Sequence, residues 1–181
     1  MCNRRRRVDL IEPSVVGTRN VLNACLKAKA KRVVVVSSIG AVIVNPNWPK
    51  DQAMDEECWS DRDSCKTTKN YYCLGKTIAE SEAFEYAKRG ELDIVTVCPS
   101  IVIGTMLQPT INSSSLLLLT MLKENFVDSM HVYHDSFTEV DDCEKLSSEK
   151  LQDLGWKYRP LEESIVDSVM NYEERGLLLK K

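Results

Sequence analysis

The chain has no glycine-rich turn. Its seven glycines stand alone in 181 residues and no G-x-x-G-x-x-G occurs, so no segment offers the bare backbone N–H groups that usually cradle a pyrophosphate. Cysteine pairs are missing too. Seven cysteines are scattered singly without a C-x-x-C, which removes the usual zinc spacings. No apolar run approaches the ~20 residues that span a bilayer. The longest aliphatic stretches, Val33–Val36 and residues 116–119, suit a core strand and part of a core helix. Neither charge sign dominates, and a net charge of −3 argues against a general nucleic-acid or membrane-surface role. There is no internal repeat and no low-complexity segment. The two histidines, His131 and His134, fall in irregular sequence, and no metal site is expected from them.

What is present is an ordinary globular composition, 43% apolar and 28% charged, with length enough for a well-buried domain. The arginines at 4–7 are not followed by an apolar stretch, so the start does not read as a signal peptide. They could form a nuclear-localisation or nucleic-acid arm; the plainer reading is a disordered start. A cytoplasmic setting with reduced thiols is therefore expected. Cys65 and Cys73 flank the most informative segment. A disulfide between them would close a short loop beside Tyr72, whereas free thiols are the plainer expectation.

Hydrophobic periodicity orders the elements. Pro13 in a first turn opens a helix that carries Val15, Thr18, Leu22, Cys25 and Leu26 at helical spacing. Lysines 27, 29 and 31 complement its C-terminal dipole. Val33–Val36 is a continuous β-branched run of the kind found in parallel sheets covered on both faces. Residues 45–68 form a long connection in which Trp48 and Trp59 imply packing. A helix follows from Asn70 to Arg89, stopped by Gly90, with Gly75, Ala79 and Ala83 as a column of small residues. Residues 93–98 read as the next strand and 99–104 as its exit loop. Helices are expected at 112–124, after Ser147 or Ser148, and from Pro160 through Ile165, Val166, Val169 and Met170. This order predicts an α/β fold with a doubly wound parallel sheet and its chemistry at the strands' C-terminal ends.

Tyr72 and Lys76 lie four residues apart, and residues at that spacing share a helix face. A cation near a phenol stabilises phenolate, which makes a tyrosine of ordinary pKa about 10 useful as an acid or base. Ser38, ending the valine strand, adds a hydroxyl where the chemistry would sit. Ser, Tyr-x-x-x-Lys and a matching downstream strand are the equipment of a carbonyl-reducing dehydrogenase.

The segments 32–42, 55–61, 69–76, 98–104 and 154–161 carry a family signature. They resemble the plant cinnamoyl-CoA reductase and dihydroflavonol reductase group of extended short-chain dehydrogenases. The resemblance implies a partial Rossmann-like sheet over residues 9–124, lacking the glycine-rich N-terminal part, and a remnant of the C-terminal substrate-binding region over 125–181. About the first third of the expected fold would be absent, and a second gap would fall at 125–136. NADP is the implied cofactor. Tyr72 would protonate the developing oxyanion as hydride arrives, Lys76 would hold the nicotinamide ribose and lower the Tyr72 pKa, and Ser38 would bond the carbonyl. Pro99, Ser100, Ile101 and Val102 would line the nicotinamide, and Ser114 would lie near the phosphates. The implied substrate is a hydroxycinnamoyl-CoA thioester or an aromatic aldehyde, in phenylpropanoid or lignin-type metabolism.

The chain departs from the group's pattern at Tyr71, Leu74, Cys98 and Thr105, where Trp, Tyr, Asn and Pro are usual. Two readings follow. One is an NADP-dependent oxidoreductase working through Ser38, Tyr72 and Lys76, weak as an isolated chain without a pyrophosphate cradle. The other is a non-catalytic remnant acting as an interaction module. In either, an exposed apolar sheet edge would favour self-association.

Overall fold

The structure, a computed structural model, describes residues 2–123 and 145–179. His131, His134 and the junction at 125–136 lie outside the described residues. Two compact units divide the chain. One takes Met1–Ser100 with Glu144–Ser147, the other Ile101–Cys143 with Ser148–Lys181.

The first unit opens with α1, Cys2–Lys27. The pattern places the start of this helix at Pro13, but the helix extends upstream and includes the arginines at 4–7, expected as an irregular start. Proline has no N–H for the preceding turn, and inside a helix it costs about 3 kcal/mol. The turns beside it carry extra bonds. Ser14 Oγ donates to the Leu10 carbonyl at 2.6 Å and Thr18 Oγ1 to the Ser14 carbonyl at 2.8 Å. The helix ends where Lys29 turns left-handed (φ 54°), with the N–H groups of Lys29 and Ala30 closing on Leu26 and Cys25, both at 3.0 Å.

Strand β1, Val33–Val36, pairs in parallel with β2, Ile94–Val97, in a register that sets Val33 beside Ile94 and Val36 beside Val97. Between them lie a 3-10 turn, Ile39–Ala41, then α2, Arg62–Thr67, and α3, Tyr71–Lys88. This is the α/β order with a parallel sheet that the periodicity predicts. Leu22 of α1 and Ala83 and Tyr86 of α3 form one core cluster with Leu92 and Ile94, and Val33 and Val35 pack against it. The opposite sheet face is open. Val34, Val36, Val95 and Val97 are all exposed, so the expectation of a strand covered on both faces is not met among the described residues. The reason is that α1 and α3 both pack on the same side.

Close approach of α1 and α3 depends on the small column. A Cβ on Gly75 would stand 3.4 Å from Ser14 Oγ and 3.6 Å from the Leu10 carbonyl oxygen. Arg19 clasps Glu82 through two 2.7 Å bonds, which hold the Glu82 carboxyl below its ordinary pKa. Tyr86 OH donates to Asn23 Oδ1 at 3.0 Å. The long connection is packed as its tryptophans imply. Trp48 lies against Val42, Met54 and Cys58, and Trp59 meets the edge of Phe84 at 5.9 Å.

The second unit holds α4, Ser113–Lys123, α5, Glu149–Asp153, and α6, Leu161–Glu174. Its core joins Met106, Leu119 and Tyr172. The face of α6 buried most deeply is Ser168, Asn171 and Tyr172, while Val166 and Met170 of the expected apolar face are exposed. Polar anchoring explains the rotation. Asn171 Oδ1 accepts from the Met106 N–H at 3.1 Å, and Tyr172 OH donates to the Ser115 carbonyl at 3.2 Å. Ser148 precedes α5 without capping it, because its hydroxyl bonds Tyr158 OH and accepts from Gln152 Nε2 at 2.9 Å.

The geometry at Gly75 gives a graded expectation. Gly75→Ala places a methyl at ordinary contact distance and gains up to about 1 kcal/mol of helix propensity, so stability should hold or rise. Gly75→Leu should lose about 1–3 kcal/mol by forcing the helices apart. Urea midpoints of the two variants against the parent check both.

Candidate active site

The two strand exits are tied together first. The Ser37 N–H donates to the Val97 carbonyl at 2.8 Å and the Ile39 N–H to the Pro99 carbonyl at 2.9 Å. Between them Ser38 is extended (φ −165°, ψ 150°) and caps the 3-10 turn, its Oγ accepting from the Gly40 N–H at 3.1 Å. Buried Ser60 fixes that turn from outside. Its hydroxyl donates to the Gly40 carbonyl at 3.0 Å and accepts from the Val44 N–H at 2.9 Å.

Helix α3 brings the tyrosine. The chain leaves α2 through left-handed Lys69 (φ 60°), and Asn70 then caps α3 by accepting from the Cys73 N–H at 3.1 Å. In the first turn Tyr72 OH donates to Ser38 Oγ at 3.1 Å. Ser38 is 6% exposed and Tyr72 53%, so the pair has a buried hydroxyl and an open phenol. Gly40 makes room for it. A Cβ there would lie 3.1 Å from Tyr72 Cε1 and 3.2 Å from Cys73 Sγ. One turn on, Lys76 Nζ reaches the Ser37 carbonyl at 3.4 Å. The structure thus gathers Ser38, Tyr72 and Lys76 around one strand end. Pro99 and exposed Ser100 leave β2 in the same unit. Ile101 and Val102, both exposed, and Ser114, in the first turn of α4, belong to the second unit.

Several neighbours have no signature in the motif. Glu80, one turn beyond Lys76, is buried, and its carboxylate accepts from Ser37 Oγ and from the Cys98 thiol at 3.5 Å. The four-residue spacing from Tyr72 to Lys76 to Glu80 is the one signal in the sequence that could have found it. Cys65 and Cys73 sit in one buried cluster as free thiols. Burial first, and then the neighbouring Cys65, push the Cys73 thiol up to about 11. Burial and the Glu80 carboxylate do the same to Cys98, also to about 11. Among the described residues no cluster of His, Cys, Asp or Glu could hold a metal ion, and no helix is long and apolar enough to cross a membrane.

A phenol and a serine hydroxyl one hydrogen bond apart can hold a single carbonyl oxygen between them, with an ammonium on the phenol's own helix face. The parallel sheet and this set define the Rossmann-type reductases, and comparison with known proteins agrees. Residues 4–142 match the NAD-binding family described as Male sterility protein. Cinnamoyl-CoA reductase 2 of Medicago truncatula is 33% identical over 94% of this chain and 67% of its own length. Cinnamoyl-CoA reductase 1 of Arabidopsis thaliana is 52% identical over 59% of this chain, which spans 31% of that relative's length. A solved yeast methylglyoxal/isovaleraldehyde reductase, complexed with NADPH, superimposes with a TM-score of 0.70 at 21% identity, over 94% of this chain and 72% of its own. The chain belongs to the cinnamoyl-CoA reductase-like group of extended short-chain dehydrogenases.

The thiols give a pH expectation. With folded pKa values near 11 against an ordinary 9.0, Cys73 and Cys98 bind their protons more tightly folded than unfolded. Their contribution to stability is complete below about pH 9 and is lost as pH rises towards 11. Urea midpoints measured from pH 8 to 11 should fall over that window, and a Cys73→Ala/Cys98→Ala double variant should fall less.

Proposed function

We propose that this chain carries the acid/base machinery of an NADP-dependent reductase that acts on a hydroxycinnamoyl-CoA thioester or a related aldehyde or ketone. The observation that carries the reading is the 3.1 Å bond from Tyr72 OH to Ser38 Oγ, with Lys76 on the same face of α3. The donor set suits a nicotinamide nucleotide. A phenol and an ammonium together bond ribose hydroxyls, and half of the Tyr72 side chain is open to receive them. NADP, when bound, supplies the hydride. Tyr72 and Lys76 would hold its ribose, Pro99, Ser100, Ile101 and Val102 would line its nicotinamide, and Ser114 would face its phosphates.

The chain's own residues do the rest. Ser38 Oγ is held by the Gly40 N–H and keeps its own proton for the substrate carbonyl oxygen. Tyr72 OH, beside it, passes its proton to the same oxygen as negative charge develops there. Lys76 keeps a positive charge near the phenol and so favours the phenolate left behind. A thioester substrate would lose coenzyme A thiol after reduction, and an aldehyde would stop at the alcohol. Phenylpropanoid or lignin-type metabolism in the cytoplasm is the setting this reading would give the chain.

No glycine-rich turn occurs in these 181 residues, so within them the groups open to a cofactor are the side chains and exit loops above. Turnover by this chain alone is expected to be weak. A second reading, an interaction module without turnover, draws on one observation. The exposed valines on the open sheet face would support self-association.

NADPH titration by fluorescence, followed by reduction of feruloyl-CoA and an aromatic aldehyde, separates the two readings. Tyr72→Phe should lower turnover at least about 100-fold while the chain stays folded. Gly40→Ala, which crowds the Tyr72 ring, should lower it about 10-fold. Residual turnover that is equal in the parent and in Tyr72→Phe would refute the assignment of the acid.

A further inference from the structure

Glu80 is 5% exposed, and it is not among the residues that the reductase motif names. Burial of a carboxyl is unfavourable unless it is bonded. This one is bonded by the exits of both strands. Ser37 Oγ donates to it from β1, and the Cys98 thiol does so from β2 at 3.5 Å to one oxygen and 3.7 Å to the other. Ser37 in turn has every polar group engaged. Its N–H goes to Val97, its hydroxyl to Glu80, and its carbonyl accepts from Lys76 Nζ.

We infer that Glu80 is a positioning residue for the active site, clamping Ser37 so that its carbonyl faces Lys76 and the adjacent Ser38 stays beneath Tyr72. The inference rests on the reductase reading of that site. Three consecutive turns of α3 then grip one strand end. Tyr72 takes the Ser38 hydroxyl, Lys76 the Ser37 carbonyl, and Glu80 the Ser37 hydroxyl. A rotation of the Ser37 peptide would release Lys76 and shift Ser38 together, because the two sit on adjacent residues. The clamp acts on ammonium and serine at once, without touching the reacting atoms.

The test breaks the clamp from both ends, with Glu80→Gln, which keeps the shape, and Ser37→Ala, which removes the donor. Four quantities are measured in the full chain: kcat and KM for the carbonyl substrate, the urea midpoint, and the Lys76 Cε signal in 13C-lysine-labelled protein. The Lys76 signal is assigned by its loss in Lys76→Met. Each variant should lower kcat 10-fold or more with KM changed less than 2-fold, and the double variant should be no worse than the weaker single one. The Lys76 signal should shift in both. An unchanged Lys76 signal in either folded variant overturns the inference, as does a kcat loss no larger than the loss of folded protein. If the parent shows no turnover, the reductase reading fails, and the Lys76 signal alone decides the clamp.

Discussion

Helix α3 must satisfy two neighbours at once, and the bare backbone at Gly75 permits it. On one side the column of Gly75, Ala79 and Ala83 lets α1 approach, with Ser14 and Leu10 standing where a larger side chain would go. On the adjoining side Tyr72, Lys76 and Glu80 point at the end of β1. The two columns are offset by one residue, about 100° around the helix. Packing against α1 therefore fixes the rotation of α3, and the rotation fixes which groups reach Ser37 and Ser38. A side chain that pushed α3 outwards would move all three polar groups together. The site's precision is in this sense a packing property before it is a chemical one.

Around the strand ends the chain relies on directional bonds more than on charge pairs. Ion pairs such as Arg19–Glu82 and Arg32–Asp93 lie on the surface, where water screens them and each contributes little. Beneath Tyr72 the partners are hydroxyls, backbone carbonyls, thiols and one carboxyl. A thiol suits that place because burial and Glu80 keep Cys98 protonated, so it serves as a weak donor to the carboxyl and not as a competing nucleophile. Buried Cys73, in the first turn of α3, is pushed up by burial and by the neighbouring Cys65 instead. The low polarity that makes an unbonded group costly here is also what strengthens each bond that is made.

Much of this was legible in the residues. Val33–Val36 announces itself by composition, α3 by its Gly90 stop, and Tyr72 and Lys76 by spacing. These signals are local, and local signals survive in a sequence. What escaped depends on contacts between distant positions. Ser37 and Glu80 are 43 residues apart, and Ser60 and Gly40 are 20 apart, so neither link leaves a periodic trace. The upstream extension of α1 was hidden because Pro13 is ordinarily a start signal. The open valine face was hidden for the converse reason. A continuous β-branched run reports that a strand can be covered on both sides, whereas the covering elements must come from elsewhere in the polypeptide. The apolar stripe of α6 misled because bonds from Asn171 and Tyr172, not the count of aliphatics, set its rotation.

The arrangement also bears on how reductase chemistry is spread along a chain of this kind. Ser38, Tyr72, Lys76 and Glu80 lie within one compact unit, at the end of β1 and along α3. Groups that move protons must meet within hydrogen-bond distance, which favours neighbouring elements of a single βαβ unit. Binding a dinucleotide is a different problem, since its phosphates extend well beyond the reacting ring and call for a second cradle at a helix N-terminus. The two tasks can therefore sit in separate stretches of sequence, joined through the sheet. This chain spans 67% of one relative's length and 31% of another's, and the contacts among Ser38, Tyr72, Lys76 and Glu80 are internal to the unit that holds them. The open valine face marks the side on which this unit has apolar surface left to bury, at about 25 cal/mol for each Å² removed from water.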